Sequence, residues 1–75
     1  MESWPAVVTM ASQAIQIDSS SVKAWSLRGF AYMKKGDLDD ATRDLRQAIK
    51  LAPQDKQLRV EWENLKKLKE EHKEK

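Results

Sequence analysis

The chain is short, nearly balanced in charge and free of cysteine. It has 75 residues, with 14 lysines and arginines against 12 aspartates and glutamates, a formal net charge of +2. This length makes one small domain, and the absence of cysteine excludes disulfides and thiolate metal sites and fits a cytoplasmic protein. The charge balance predicts no nucleic-acid partner. No stretch is long or apolar enough to predict a membrane partner.

The first two predicted helices differ in how they begin. The first follows Ser3 and has Pro5 in its opening turn, where the missing N–H would have no partner anyway. Its apolar stripe consists of Trp4, Val7, Ala11 and Ala14. Residues 18–21 then offer polar caps for a second helix over about 22–35. Gly36 is suited to the left-handed turn that ends this second helix.

Two further helices are predicted in the second half of the chain. The third begins after Asp37, a predicted N-cap, and ends before Pro53. Its apolar stripe consists of Leu38, Ala41, Leu45 and Ala48. The fourth runs from about Lys56 to the early seventies. Its apolar residues lie on one side, at Leu58, Trp62, Leu65 and Leu68. The fold class predicted is therefore all-α.

The first and third helices are copies of one element. When the chain is shifted by about 34 residues, the apolar stripe of the first helix falls on that of the third, and "QAIQI" recurs as "QAIKL". Self-similarity with this period is typical of stacked helical pairs, because one pair cannot bury its apolar face alone.

The second and third helices carry the pattern of a known repeat. Trp25, Gly29 and Tyr32 have the spacing of W-x2-L-G-x2-Y, with Arg28 at the leucine position. Ala41, Leu45, Ala48 and Pro53 then follow the alanine, phenylalanine, alanine and proline positions, with leucine replacing phenylalanine. The chain thus resembles the tetratricopeptide repeat family.

This resemblance implies a domain organisation and a function. Residues 1–21 would be the second helix of a partial repeat, residues 22–55 a complete repeat, and residues 56–75 a capping helix with a charged tail. The small residues of the repeat, Gly29 above all, would let its two helices touch. The residues expected in this packing are Trp25, Gly29, Tyr32, Ala41, Leu45, Ala48 and Pro53. The function implied is protein–protein interaction without catalysis.

A narrower resemblance concerns residues 19–56 and the helix after them. They are similar to the last repeat and extension helix of immunophilin and co-chaperone proteins. In that group, basic residues of three repeats hold the C-terminal carboxylate of a heat-shock chaperone. Lys23 matches the clamp lysine of the third repeat, and Leu27 stands where a clamp arginine is expected. The resemblance implies a chaperone-linked adaptor.

Partner contacts are expected on the side of the second helix that faces away from its pair. By helical spacing, this outward set is Lys23, Ser26, Phe30, Met33 and Lys34. Phe30 and Met33 are apolar residues among polar neighbours, and this suits an adaptable contact with an extended acidic or C-terminal peptide. The alternative is that both residues pack on the last helix through Val60 or Leu65.

A second hypothesis is self-assembly. The first helix has no partner helix before it in this sequence, so the apolar side chains of Trp4, Val7 and Ala11 could be buried against a second copy. The result would be a homodimer.

The sequence contains few residues that could form a catalytic or metal site. His72 is the only histidine, and it lies in a charged C-terminal segment. Asp37, Asp39 and Asp40 lack the spacing of a calcium loop and suit a helix start. We expect no enzyme activity, no metal and no cofactor.

Overall fold

The computed structural model describes residues 3–72, which form four helices joined by short turns. Helix α1 spans Trp4–Ile17, α2 Val22–Lys35, α3 Leu38–Leu51 and α4 Lys56–His72. The all-α prediction is confirmed, and each helix begins and ends where the apolar stripes and turn residues indicate.

The helix ends follow from single residues. The Ser21 side chain accepts a hydrogen bond from the backbone N–H of Ala24 and caps α2. Gly36 ends α2 with a φ of 92°, a left-handed conformation that glycine adopts without strain. Asp37 occupies the N-cap position of α3, but its carboxylate forms an ion pair with Lys35 instead of capping. The predicted side-chain cap at Asp37 is therefore wrong.

The helices stack in chain order. Helix α2 packs on α1 and on α3, while α4 packs mainly on α3. Helix starts recur after 34 residues, from Trp4 to Leu38 and from Val22 to Lys56. Helix α4 is thus in register with α2, and the buried Leu58 and Leu65 take the places of the buried Ala24 and Ala31.

Helices α2 and α3 approach each other closely at Gly29. A Cβ added at Gly29 would lie 2.9 Å from Leu45 Cγ and 3.3 Å from its backbone nitrogen. A glycine in mid-helix costs roughly 1 kcal/mol relative to alanine, and here it lets Leu45 of α3 lie against the α2 backbone without a clash. Helix α4 has Glu63 at the corresponding position, so it offers no such contact to a further helix.

The core lies where α2, α3 and α4 meet. Met33, Ala41, Leu45 and Leu65 form its buried centre. The outward orientation expected for Met33 is wrong, because α4 covers this residue and leaves it 8% exposed. Phe30 is only partly buried and packs at the edge of the same cluster. Met33 therefore follows the packing alternative, with Leu65 as its neighbour in the core.

The structure also changes the roles expected of Pro53 in repeat packing and of Ala11 in self-association. Pro53 is exposed after the end of α3, so it ends the helix and contributes little to packing. Ala11 is 2% exposed within this single chain, so it offers almost no surface to a second copy.

Candidate interaction surfaces

A polar network joins three of the four helices. The Arg28 guanidinium donates from Nε to Asp44 Oδ2 at 2.7 Å and from Nη2 to Asp44 Oδ1 at 3.0 Å. It also donates from Nη1 to the Ser12 hydroxyl at 3.0 Å. Ser12 lies on α1, Arg28 on α2 and Asp44 on α3. One guanidinium thus links the three helices through hydrogen bonds.

Arg28 also lies near two aromatic rings of α2. Its guanidinium carbon lies 5.0 Å from the Trp25 ring centroid and 6.0 Å from that of Tyr32. The hydrogen bond to Asp44 is the main cause that raises the pKa of Arg28, so the group stays charged. The Trp25 indole N–H donates to the Ser19 carbonyl oxygen at 2.8 Å. Trp25 and Tyr32 thus lie beside a cation that is paired with α3.

A groove runs along α2 and α4. It consists of two adjoining clefts, which we together call the α2–α4 groove, and both clefts include Phe30 and Glu61. The first cleft, of about 350 Å³, is lined on α2 by Lys23, Ser26, Leu27 and Phe30. The second is lined on α2 by Phe30, Met33 and Lys34. The five predicted contact residues therefore all border this groove, although Met33 borders it from within the core.

The side chains that line the groove on α2 differ in exposure and in the contacts they already make. Lys23 and Lys34 are exposed, and the Lys34 ammonium lies 5.3 Å from the centroid of the Phe30 ring. The Ser26 hydroxyl is occupied by a hydrogen bond to the carbonyl oxygen of Lys23. Phe30 is half-buried at the point where the two clefts adjoin. The groove thus has an aromatic centre with a lysine on either side.

Helix α1 exposes two large apolar side chains. Met10 is 67% exposed and Ile17 is 87% exposed, and Leu27 of α2 is partly exposed beside a cleft that Met10 also lines. Trp4 is half-buried, with its ring 5.6 Å from that of Phe30 in an edge-to-face arrangement. Val7 is also half-buried. The exposed apolar surface of α1 is therefore carried by Met10 and Ile17, which the sequence interpretation did not single out.

A separate cleft opens between α3 and α4. It has a volume of about 390 Å³ and is lined by Arg46, Ile49, Lys50, Arg59, Trp62 and Glu63. Sequence reasoning missed this α3–α4 cleft. The available signal was the spacing of three or four residues between its members on each helix, which places them on one face.

Neither a membrane span nor a metal cluster is found within residues 3–72. No helix in this range is long and apolar enough to cross a bilayer. The range also contains no group of three acidic, histidine or cysteine residues arranged to hold a metal ion. We expect no catalytic role for His72, and its side chain lies outside the part of the chain whose side chains are described.

The fold and its surfaces together define a class of protein. Helices that recur after 34 residues, pair through a glycine and leave a groove along their side are typical of helical-repeat proteins. Within this class, residues 22–55 match the family model of the tetratricopeptide repeat. This segment of the chain is a tetratricopeptide repeat, a family of protein–protein interaction modules.

Proposed function

We propose that the chain binds the C-terminal tail of a partner protein in the α2–α4 groove, as part of a chaperone-linked adaptor. The observation that carries this proposal is the half-buried Phe30 in the middle of the groove, with Lys23 and Lys34 on either side. An apolar side chain of the tail packs on Phe30. The terminal carboxylate pairs with Lys23, the residue that matches the clamp lysine of co-chaperone repeats.

The charges that line the groove determine which residues a bound tail can carry. Asp55 and Glu61 line the same cleft as Lys23. A long run of acidic residues would be repelled by these two carboxylates, so a single terminal carboxylate next to an apolar residue fits better. Exposed ion pairs contribute little to affinity, so most of the binding free energy comes from apolar contact with Phe30 and with the exposed Leu27.

The experiment compares one peptide with a free and with an amidated C-terminus. We expect the free-acid form to shift the backbone amide signals of Lys23 and Phe30 in NMR titrations, and the amide to bind several-fold more weakly. Lys23→Ala should remove this preference. Lys66→Ala removes the same charge from an exposed residue outside the groove and should leave the preference intact. Equal binding of both peptide forms to the unmodified chain would overturn the proposal.

A second function, homodimerisation through α1, is favoured by one observation. Met10 and Ile17 place two large apolar side chains in solvent on the same helix. Burial of this surface against a second copy would remove it from water. Trp4 and Val7, being half-buried, would contribute at the edge of such an interface.

Sedimentation velocity over a range of concentrations tests this second function. A dimer should dissociate when Met10 and Ile17 are both replaced by glutamate. Val60→Glu places the same charge at an exposed apolar residue of α4 and serves as the control. A monomer at every concentration for the unmodified chain rules homodimerisation out.

A further inference from the structure

The α3–α4 cleft has an apolar floor and a cationic rim. Trp62 and Ile49 are half-buried and form the floor. The rim carries three exposed cations and one carboxylate: Arg46, Lys50, Arg59 and Glu63. The rim therefore has a surplus of positive charge, in a chain whose whole net charge is only +2.

The cations of the rim are free to bind an anion. Within residues 3–72, the ion pairs are made by Arg28, Lys35, Arg43 and Lys69, and none involves a cation of the rim. Arg46 and Lys50 are one helical turn apart on α3, and Arg59 stands opposite them on α4. An anion held in the cleft is thus approached by cations from both helices.

We infer that the α3–α4 cleft binds an acidic segment of a partner protein, with an apolar side chain against the Trp62 indole and a carboxylate at the rim. The cleft volume of about 390 Å³ accommodates one or two side chains. Aromatic residues and arginines are the residues most enriched where binding energy concentrates in protein interfaces. Guanidinium groups also bind carboxylates through two hydrogen bonds at once.

A peptide fits this cleft better than a nucleic acid does. Nucleic-acid binding needs a basic stripe that follows several phosphates, whereas here three cations surround one small cleft that also contains Glu63. Glu63 can also accept a hydrogen bond from a peptide N–H, a donor that a phosphate backbone lacks. The occupant is therefore a peptide in which acidic residues flank an apolar residue.

This surface is independent of the α2–α4 groove. The two share no lining residue, since one borders α2 and α4 and the other α3 and α4. A peptide with both ends blocked has no terminal carboxylate for Lys23, so it separates the two surfaces. Failure of either proposal leaves the other untouched.

The test uses a blocked peptide of alternating glutamate and leucine, titrated into the full chain and followed by NMR. We expect the side-chain indole N–H of Trp62 and the amide of Ile49 to shift, while the amide of Phe30 stays in place. The same peptide with glutamine for glutamate should bind at least tenfold more weakly. Absence of any shift at Trp62 would overturn the inference.

Charge-reversal variants then localise the binding. Arg59→Glu should weaken binding of the glutamate peptide at least tenfold, and Arg46→Glu should do so from the other helix. Lys56→Glu makes the same charge change on α4 at a residue that does not line the cleft, and it should change affinity less than threefold. Circular dichroism checks that each variant keeps its helices.

Three results contradict the inference. Equal losses in the Lys56 and Arg59 variants would mean that the overall field of the chain, not the cleft, attracts the peptide. Unchanged affinity in both arginine variants would exclude the rim. Tighter binding of an unrelated single-stranded oligonucleotide than of the peptide at Trp62 would assign the cleft to nucleic acid.

Discussion

Arg28 and Asp44 form a bidentate ion pair between α2 and α3, with donor–acceptor distances of 2.7 and 3.0 Å. The Asp44 side chain is fully buried and that of Arg28 is 15% exposed. No side-chain nitrogen or oxygen buried within residues 3–72 lacks a hydrogen-bond partner, so the pair is fully satisfied. A buried charge of this kind is stable only while its partner is present.

Loss of Arg28 alone should therefore be severe. Arg28→Leu restores the leucine of the family pattern but leaves the Asp44 carboxylate buried and unpaired. We expect the free energy of unfolding to fall by about 3–5 kcal/mol, as when one partner of a buried pair is removed. Urea denaturation followed by circular dichroism measures this loss.

The double variant Arg28→Leu/Asp44→Ala provides the matched control. Replacement of both charges by apolar groups is often close to neutral, because no charge is then left buried. We expect most of the lost stability to return. A double variant as unstable as Arg28→Leu would show that the ion pair is not the cause.

Gly29→Ala tests the contact between α2 and α3. Alanine is the better helix former by roughly 1 kcal/mol, so an exposed site would gain stability. At Gly29 the added Cβ would meet Leu45 Cγ at 2.9 Å and the Leu45 backbone nitrogen at 3.3 Å, and the backbone cannot turn aside. We expect a net loss of about 1–3 kcal/mol, typical of an overpacked core.

The control for Gly29→Ala is an alanine at an exposed site on the same helix. Lys34→Ala should change the free energy of unfolding by only a few tenths of a kcal/mol, since lysine and alanine both favour helix. Thermal denaturation measures this change. A Gly29→Ala chain as stable as this control would mean that α2 and α3 can separate slightly without cost.

Gly36→Ala tests the end of α2. Nothing lies within 4 Å of a Cβ added there, so any effect comes from the backbone, whose φ is +92°. A left-handed conformation costs an alanine roughly 1–2 kcal/mol, and we expect this loss in urea denaturation. Gly36→Asn should lose less, because asparagine tolerates this conformation better. Equal losses of stability in Gly36→Ala and Gly36→Asn would contradict the explanation by the left-handed backbone.

The Asp18 carboxylate is expected to titrate abnormally. It accepts hydrogen bonds from the Ser20 hydroxyl at 2.7 Å and from the Ser20 backbone N–H at 3.1 Å. These bonds favour the charged form and lower the pKa of Asp18 below its ordinary value of 3.8. The stabilisation is therefore present above pH 3.8 and is lost as the pH falls through the lowered pKa.

Carbon-detected NMR titration of the Asp18 carboxyl measures this shift. Ser20→Ala removes the stronger hydrogen bond and should raise the pKa of Asp18 towards its ordinary value. Ser19→Ala removes a neighbouring hydroxyl that makes no hydrogen bond to Asp18 and should leave the pKa of Asp18 unchanged. A lowered pKa that persists in Ser20→Ala would assign the effect to the backbone N–H alone.

The pairing of Arg28 with Asp44 could be predicted only in part from the sequence. Arg28 was recognised as a departure from the family pattern, but its partner was not identified. Asp44 interrupts the apolar face of α3 at the position that Met10 holds in α1, and this was the available signal. The two charges are 16 residues apart in the chain, and their pairing depends on the relative rotation of two helices.

The sequence alone determined the helices, their ends and their order. These features depend on local rules, in which apolar stripes repeat with the helical turn and residues such as Pro5, Ser21 and Gly36 begin or end a helix. The repeat spacing also indicated that Gly29 would lie against the next helix.

Only the tertiary structure decided which faces are buried. Met33 was expected at a binding surface and is instead covered by α4, while Met10 and the α3–α4 cleft are exposed. The physical reason is that burial depends on the angle and distance at which separate helices pack. Many side chains set these quantities together, and no single stripe specifies them.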